Sequence, residues 1–196
     1  MAFINYETKD IRLKVVFYGP ADSGKTALVQ HIFARTGDGR EVTRGGSAGD
    51  GVYYDVLPLS LGSIRGFRTV IDLYTVPRGA DRRETRRGIL ESIDGVVFVA
   101  DSRPLRASDN LTAIDELGWA LRANGYDPAK IPLVLACGHA DAPDATPPIS
   151  LAATLLKTHP AAASIPVFGV DAIRGVGVFE ALKAISKLVL SELKGA

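Results

Sequence analysis

The amino-acid sequence predicts an α/β fold: a mostly parallel, six-stranded sheet covered on both faces by helices, with one antiparallel edge strand. Three observations carry this prediction. Short β-branched apolar runs alternate with helix-period segments along the 196 residues. The first long run, Leu13–Tyr18, leads straight into Gly19–Thr26 (GPADSGKT), a pattern whose physics needs a strand before it and a helix after it. Two early strand-like runs follow one another with no helix between them, which reads as a hairpin and supplies the antiparallel edge.

Taken in order, LKVVFY at 13–18 is a buried strand, and the stretch after the glycine loop is helical to about Arg35. Thr36–Gly51 is a polar loop with six glycines, costly to order. Val52–Ser60 and Gly66–Tyr74 form the hairpin, turning at Leu61-Gly62-Ser63. After an Arg-rich segment, Gly95–Ala100 is a buried strand ending at Asp101. Leu111–Ala123 is a helix, Ile131–Cys137 a strand and Gly138–Pro148 a Pro/Asp loop. Ser150 reads as the N-cap of a short helix to Thr158, and Pro166–Val170 as the last strand. Val178, Phe179, Leu182, Ile185, Val189 and Leu193 repeat at helical spacing, so Val178–Leu193 closes the chain as an amphipathic helix. No repeat or linker divides the chain, so residues 1–196 read as a single domain.

Composition narrows the function classes. The chain is 46% hydrophobic and 23% charged, ordinary for a globular protein and too apolar for disorder. Lys plus Arg number 23 and Asp plus Glu 22, a net charge of +1, so no global pull toward nucleic acid or an anionic membrane follows. One cysteine excludes an internal disulfide. No signal peptide or prenylation cysteine is visible, and Ala2 stands where N-myristoylation needs a glycine. No apolar run approaches the ~20 residues of a membrane span. The expectation is a cytoplasmic monomer without membrane insertion.

Gly19–Thr26 matches G-x-x-x-x-G-K-[ST]. Glycines let the backbone curl so that successive N–H groups, those of Asp22, Ser23 and Gly24 among them, turn toward phosphate oxygens. The following helix N-terminus adds partial positive charge. Lys25 supplies a full charge for the outer phosphates, and the Thr26 hydroxyl is a hard oxygen ligand suited to Mg²⁺.

FINY (3–6), PLSLGSIRGF (58–67), LYTVP (73–77), DGVVFVADS (94–102), GYDPAKIP (125–132) and GVGVFEALKAISKLVLSELK (175–194) carry a further signal. With the phosphate loop and a strand-end Asp141, they make the chain resemble the MglA-like bacterial small GTPases, a branch of the Ras-like proteins. The resemblance implies a P-loop fold, GTP or GDP as ligand, Mg²⁺, and a switch controlling gliding motility and cell polarity. It also implies a Roadblock-fold partner of the MglB type acting on the nucleotide state.

The chain departs from that family at three places. The family carries an Arg and a Thr in the loop before the second strand, and Asp50 and Gly51 stand there in this chain. Thr43 or Ser47 could substitute as a Mg²⁺ ligand. After Thr75, Val76 and Pro77 the family continues with Gly-Gln, whereas this chain has Arg78-Gly79. The water-positioning Gln is therefore missing, and Arg78 is the one candidate catalytic residue, as an internal finger. Losing Gln and Arg costs orders of magnitude in hydrolysis, which depends on positioning and charge stabilisation. The base-recognition pattern N-K-x-D stands as Gly138-His139-Ala140-Asp141. Asp141 keeps the carboxylate that accepts from guanine. The missing Asn removes contacts to the base and to the phosphate loop, and His139 would stack on the base.

Arg78, Arg82, Arg83, Arg86 and Arg87 form either a self-paired helix start or a partner-binding patch. Trp119, Tyr126 and Cys137 read as packing residues, and Asp72 as a second-sphere Mg²⁺ residue or an exposed carboxylate. Three functions compete: a slow guanine-nucleotide switch, a pseudo-GTPase scaffold that does not cycle, and an adenine-nucleotide P-loop enzyme.

Overall fold

A computed structural model describes residues 3–36, 43–45, 54–76 and 83–195. The switch candidates Asp50, Gly51, Pro77, Arg78 and Gly79, and the alternative ligand Ser47, lie outside the described residues. The elements run β1 (Phe3–Asn5), β2 (Asp10–Tyr18), α1 (Lys25–Thr36), β3 (Thr43–Gly45), β4 (Tyr54–Ile64), β5 (Phe67–Thr75), α2 (Arg83–Ile89), β6 (Gly95–Asp101), α3 (Ala107–Ala123), β7 (Leu133–Gly138), α4 (Pro148–Leu155), β8 (Val167–Gly169) and α5 (Val178–Gly195).

Among the described residues the sheet has eight strands in the order β3-β4-β5-β2-β6-β7-β8, with β1 pairing β2 off that path. The pairs β5-β2, β2-β6, β6-β7 and β7-β8 are parallel, and β4 is antiparallel to β5. The six predicted strands are thus joined by two of three residues each, β1 and β3, both antiparallel to their neighbours.

Strand alternation distributes the core over two faces. Val15, Phe17, Val97, Val99, Val134 and Ala136 pack with Leu28 and Ile32 of α1 and Ile185 of α5. Val16, Tyr18, Val96, Phe98, Leu135 and Cys137 pack with Leu117 of α3 and Leu151 of α4. Every residue of β6 is buried, as a central parallel strand requires.

Three local expectations need correction. The hairpin turns at Arg65-Gly66, not at Leu61-Gly62-Ser63: Ile64 pairs with Phe67, and the two turn residues have φ of 52° and 82°. Two left-handed residues make the tight turn whose twist suits a hairpin. The register shift between Ser60 and Ser63 makes Gly62 part of a bulge within β4. Helix α4 begins at Pro148, which has a fixed φ and no N–H to waste, so Ser150 lies inside the first turn. Trp119 is 44% exposed on α3 and is not a core residue.

Asp72 is not an exposed carboxylate. It is 9% exposed and takes a bidentate pair from Arg12, at 3.0 Å from Nε and 2.7 Å from Nη2. No helix among the described residues is long and apolar enough to cross a membrane. Phe98, fully buried and stacked on Tyr18 at 6.5 Å, tests the core. Phe98→Ala is expected to lower unfolding free energy by ~3–5 kcal/mol in a urea titration.

Candidate functional site

The C-terminal ends of β2, β5, β6, β7 and β8 share one edge of the parallel sheet. The chain leaves β2 through α1, then builds β5 on one side of β2 and β6 on the other. That reversal opens a crevice at the end of β2, where open α/β sheets hold ligands. Gly19–Gly24 fills it.

Gly19, Asp22 and Gly24 have φ of 146°, 60° and 97°. These left-handed residues curl the loop into an arc. Gly19 is pressed against β6: a Cβ there would lie 2.2 Å from the Val99 carbonyl oxygen. At Gly24 an added Cβ would meet nothing within 4 Å, so it is the positive φ and not crowding that favours glycine there. Leu28 N–H donates to the Gly24 carbonyl at 2.9 Å, which starts α1 directly at the loop's end. Lys25 is 8% exposed, and its Nζ donates to the Gly19 carbonyl at 3.0 Å and to the Pro20 carbonyl, with Ser23 Oγ at 3.4 Å. Ser23 is fully buried and Thr26 partly so. The result is a concave run of backbone at a helix N-terminus with an ammonium folded across it, an arrangement suited to an anion.

The base-recognition candidates come to the same edge. Gly138 ends β7 against the phosphate loop, where a Cβ would lie 2.3 Å from the Ser23 carbonyl oxygen. His139 has φ 54°, and its Nε2 lies 3.0 Å from the Asp22 carbonyl oxygen, a bond that requires the Nε2–H tautomer. The contact between this loop and the phosphate loop, expected to be lost with the Asn, is therefore present through other atoms. The ring of His139 is engaged with the loop backbone. Asp141 stands exposed in the turn that follows, and Thr75 is buried at the end of β5.

Two groups escaped the sequence reading. Asp101, at the end of β6, is fully buried. It accepts from Arg103 at Nε (2.9 Å), Nη2 (2.6 Å) and the main-chain N–H (3.0 Å). Burial pushes its carboxyl up, but the Arg103 hydrogen bonds outweigh that and hold it below the usual carboxylate value. The signal was present: a carboxylate closing an apolar strand, with arginines two and five residues on. The other is the loop after β8, which packs on α1. Asp171 is buried and its Oδ1 accepts from Ile173 N–H (2.8 Å) and Arg174 N–H (3.0 Å), while Gly175 lies so close to α1 that a Cβ would be 2.3 Å from His31 Nε2.

Arg86 and Arg87 of the Arg-rich segment take partners outside it, on α3 and at its end. Arg86 pairs with Glu116 of α3, and Arg87 Nε donates to Asn124 Oδ1 at 3.2 Å. The Cys137 thiol, fully buried, is pushed up to about 12 by desolvation, which leaves it inert. Among the described residues no three His, Cys, Asp or Glu side chains converge on a metal position.

The close approach at Gly138 gives a test. Gly138→Asn, which writes the family residue back into the sequence, is expected to destabilise the fold by ~1–3 kcal/mol, because its Cβ overlaps the Ser23 carbonyl. Chemical denaturation without ligand measures it.

No family model matches the chain. It is 41% identical over 197 aligned positions to the mutual gliding-motility protein MglA of Myxococcus xanthus strain DK1622, covering 99% of this chain and 98% of that protein. Identity at that level over essentially both full lengths shows the family and, with the strand order above, the Ras-like P-loop fold. The chain belongs to the MglA family of small GTPases.

Proposed function

We propose that this chain is a guanine-nucleotide switch: one domain over residues 1–196 that binds GTP or GDP through Gly19–Thr26 and presents its nucleotide state to a partner. The observation that supports this best is the loop itself. Three residues of positive φ and the Lys25 ammonium lie together at the start of α1. The Asp22, Ser23 and Gly24 N–H groups would take the inner phosphate oxygens. Lys25 would exchange its carbonyl partners for the outer ones. The Thr26 hydroxyl would hold Mg²⁺ beside phosphate oxygens. The ion would neutralise charge on the outer phosphates.

Asp141 would select guanine by accepting from its N1 and N2 groups, which adenine does not offer. Gly138 and His139 hold the phosphate loop and have no amide to give the base. Base affinity in this reading is therefore weaker than with N-K-x-D. The residues around Asp50, Gly51 and Thr75–Gly79 would form the two switch segments, whose arrangement responds to the γ-phosphate. With Arg78 in place of Gly-Gln and Asp50 in place of Arg, intrinsic hydrolysis would be very slow and would depend on groups a partner supplies. By analogy with the relative's name, the output would be gliding motility, and with it cell polarity. A Roadblock-fold protein of the MglB type is the proposed partner, in the cytoplasm.

The test is calorimetric titration with GDP, a non-hydrolysable GTP analogue and an ATP analogue, each with Mg²⁺. The expected result is binding of both guanine ligands, weaker binding of the adenine one, and a loss of roughly 10- to 100-fold in Lys25→Ala, the worth of one or two charge-assisted hydrogen bonds. Binding of none of the three, or a Lys25→Ala protein that binds unchanged, contradicts the proposal.

A further inference from the structure

Three consecutive carbonyls of the phosphate loop are met from outside by three different residues. The Ser23 carbonyl packs on Gly138, and the Asp22 carbonyl faces His139. The Ala21 carbonyl accepts from Arg106 Nη2 at 2.7 Å, across 85 residues of sequence. All described peptide bonds are trans, so a carbonyl turned outward puts the next residue's N–H on the inside. Arg106 therefore bears on the Asp22 N–H, the first of the inward donors.

Arg106 is itself fixed. It ends the 3-10 turn Pro104–Arg106 at the start of α3. Its Nη1 pairs with Asp109 Oδ2 at 2.8 Å, and its Nε lies 3.8 Å from Asp101 Oδ2. Asp101 is a rigid post. Arg103 grips its carboxylate, and Asn110 brackets its backbone, with Oδ1 accepting from Asp101 N–H and Nδ2 donating to the Asp101 carbonyl, both at 2.8 Å. A fully buried carboxylate is costly to keep, and hydrophobic replacements often do as well for stability alone. This one stands directly behind the guanidinium that reaches the loop.

We propose that Arg106, backed by Asp101, is a positioning residue for the phosphate loop: it locks the Ala21–Asp22 peptide with its N–H inward and thereby slows nucleotide release. The inference rests on the reading of Gly19–Thr26 as the phosphate site. It assigns retention to a residue that touches neither phosphate nor base. A preorganised donor needs no reorientation when the ligand arrives, whereas a peptide free to flip loses the inward N–H for part of the time. The guanidinium also adds positive charge behind the loop without occupying it.

The test is stopped-flow displacement of a fluorescent GDP derivative from the full chain, comparing the parent with Arg106→Met and Arg106→Lys. Methionine keeps the stem and removes every donor, whereas lysine keeps one charged donor. Arg106→Met is expected to raise the dissociation rate about tenfold, with association changed less than about twofold. Arg106→Lys is expected to stay within about threefold of the parent, a rescue that a packing role would not give. A dissociation rate in Arg106→Met within twofold of the parent overturns the inference, as does an Arg106→Lys protein as fast as Arg106→Met. If Arg106→Met does not fold by circular dichroism, Arg106→Ala is held to the same limits. A parent protein that never takes up the probe overturns the phosphate-site reading and this inference with it. That outcome is distinct from a parent that binds and a variant that does not differ.

Discussion

The orientation of a few peptide planes governs the rest of this molecule. A curled loop exposes either its carbonyls or its N–H groups to its own concavity, and only the second suits an anion. The carbonyls of Ala21, Asp22 and Ser23 are each occupied from outside, by Arg106, His139 and the flat face of Gly138. Those partners sit on the turn after β6, on the last residue of β7 and in the loop after it, at positions set by the parallel pairing of β2, β6 and β7. The sheet thus acts on the loop through its outer edge. The two buried faces on either side of the sheet hold those strand ends in register.

Much of this was legible in the sequence, and what was not has identifiable causes. Strands β6 and β7, and Val15–Tyr18 of β2, are continuous apolar runs buried on both faces, so composition alone marks them. The phosphate loop is set by residues whose conformational roles are nearly unique to them. The hairpin turn was misplaced because two glycines, Gly62 and Gly66, compete for it, and register decides between them. The start of α4 was misplaced because a good capping residue, Ser150, follows two prolines that begin the helix earlier. Asp72 and Arg12 lie sixty residues apart, so their pairing depends on strand register that no local pattern encodes.

The site shows the same division. Lys25 is recognisable by spacing, and Asp141 by the family likeness alone. The work of Gly138 and His139 is not, because the family pattern frames them only as a loss of an amide and an ammonium. In three dimensions the glycine permits a close approach that any side chain would block, and the histidine turns a ring nitrogen to the loop backbone. Asp101 and Arg106 were overlooked for the opposite reason: their neighbours in sequence form an ordinary charged turn, and their significance comes from a carbonyl 85 residues away. The two departures that bear most on hydrolysis, at Asp50 and Arg78, lie outside the described residues, and their roles rest on the sequence and its family likeness.

The central claim is that backbone amides of this loop donate to a bound polyphosphate. Amide hydrogen exchange, read by mass spectrometry over peptides spanning residues 19–28 with and without GDP and Mg²⁺, tests it most directly. The account predicts that exchange in this segment slows markedly on adding ligand, and that inorganic phosphate alone has a smaller effect in the same place. Exchange that stays unchanged in residues 19–28 while the nucleotide is demonstrably bound would contradict it.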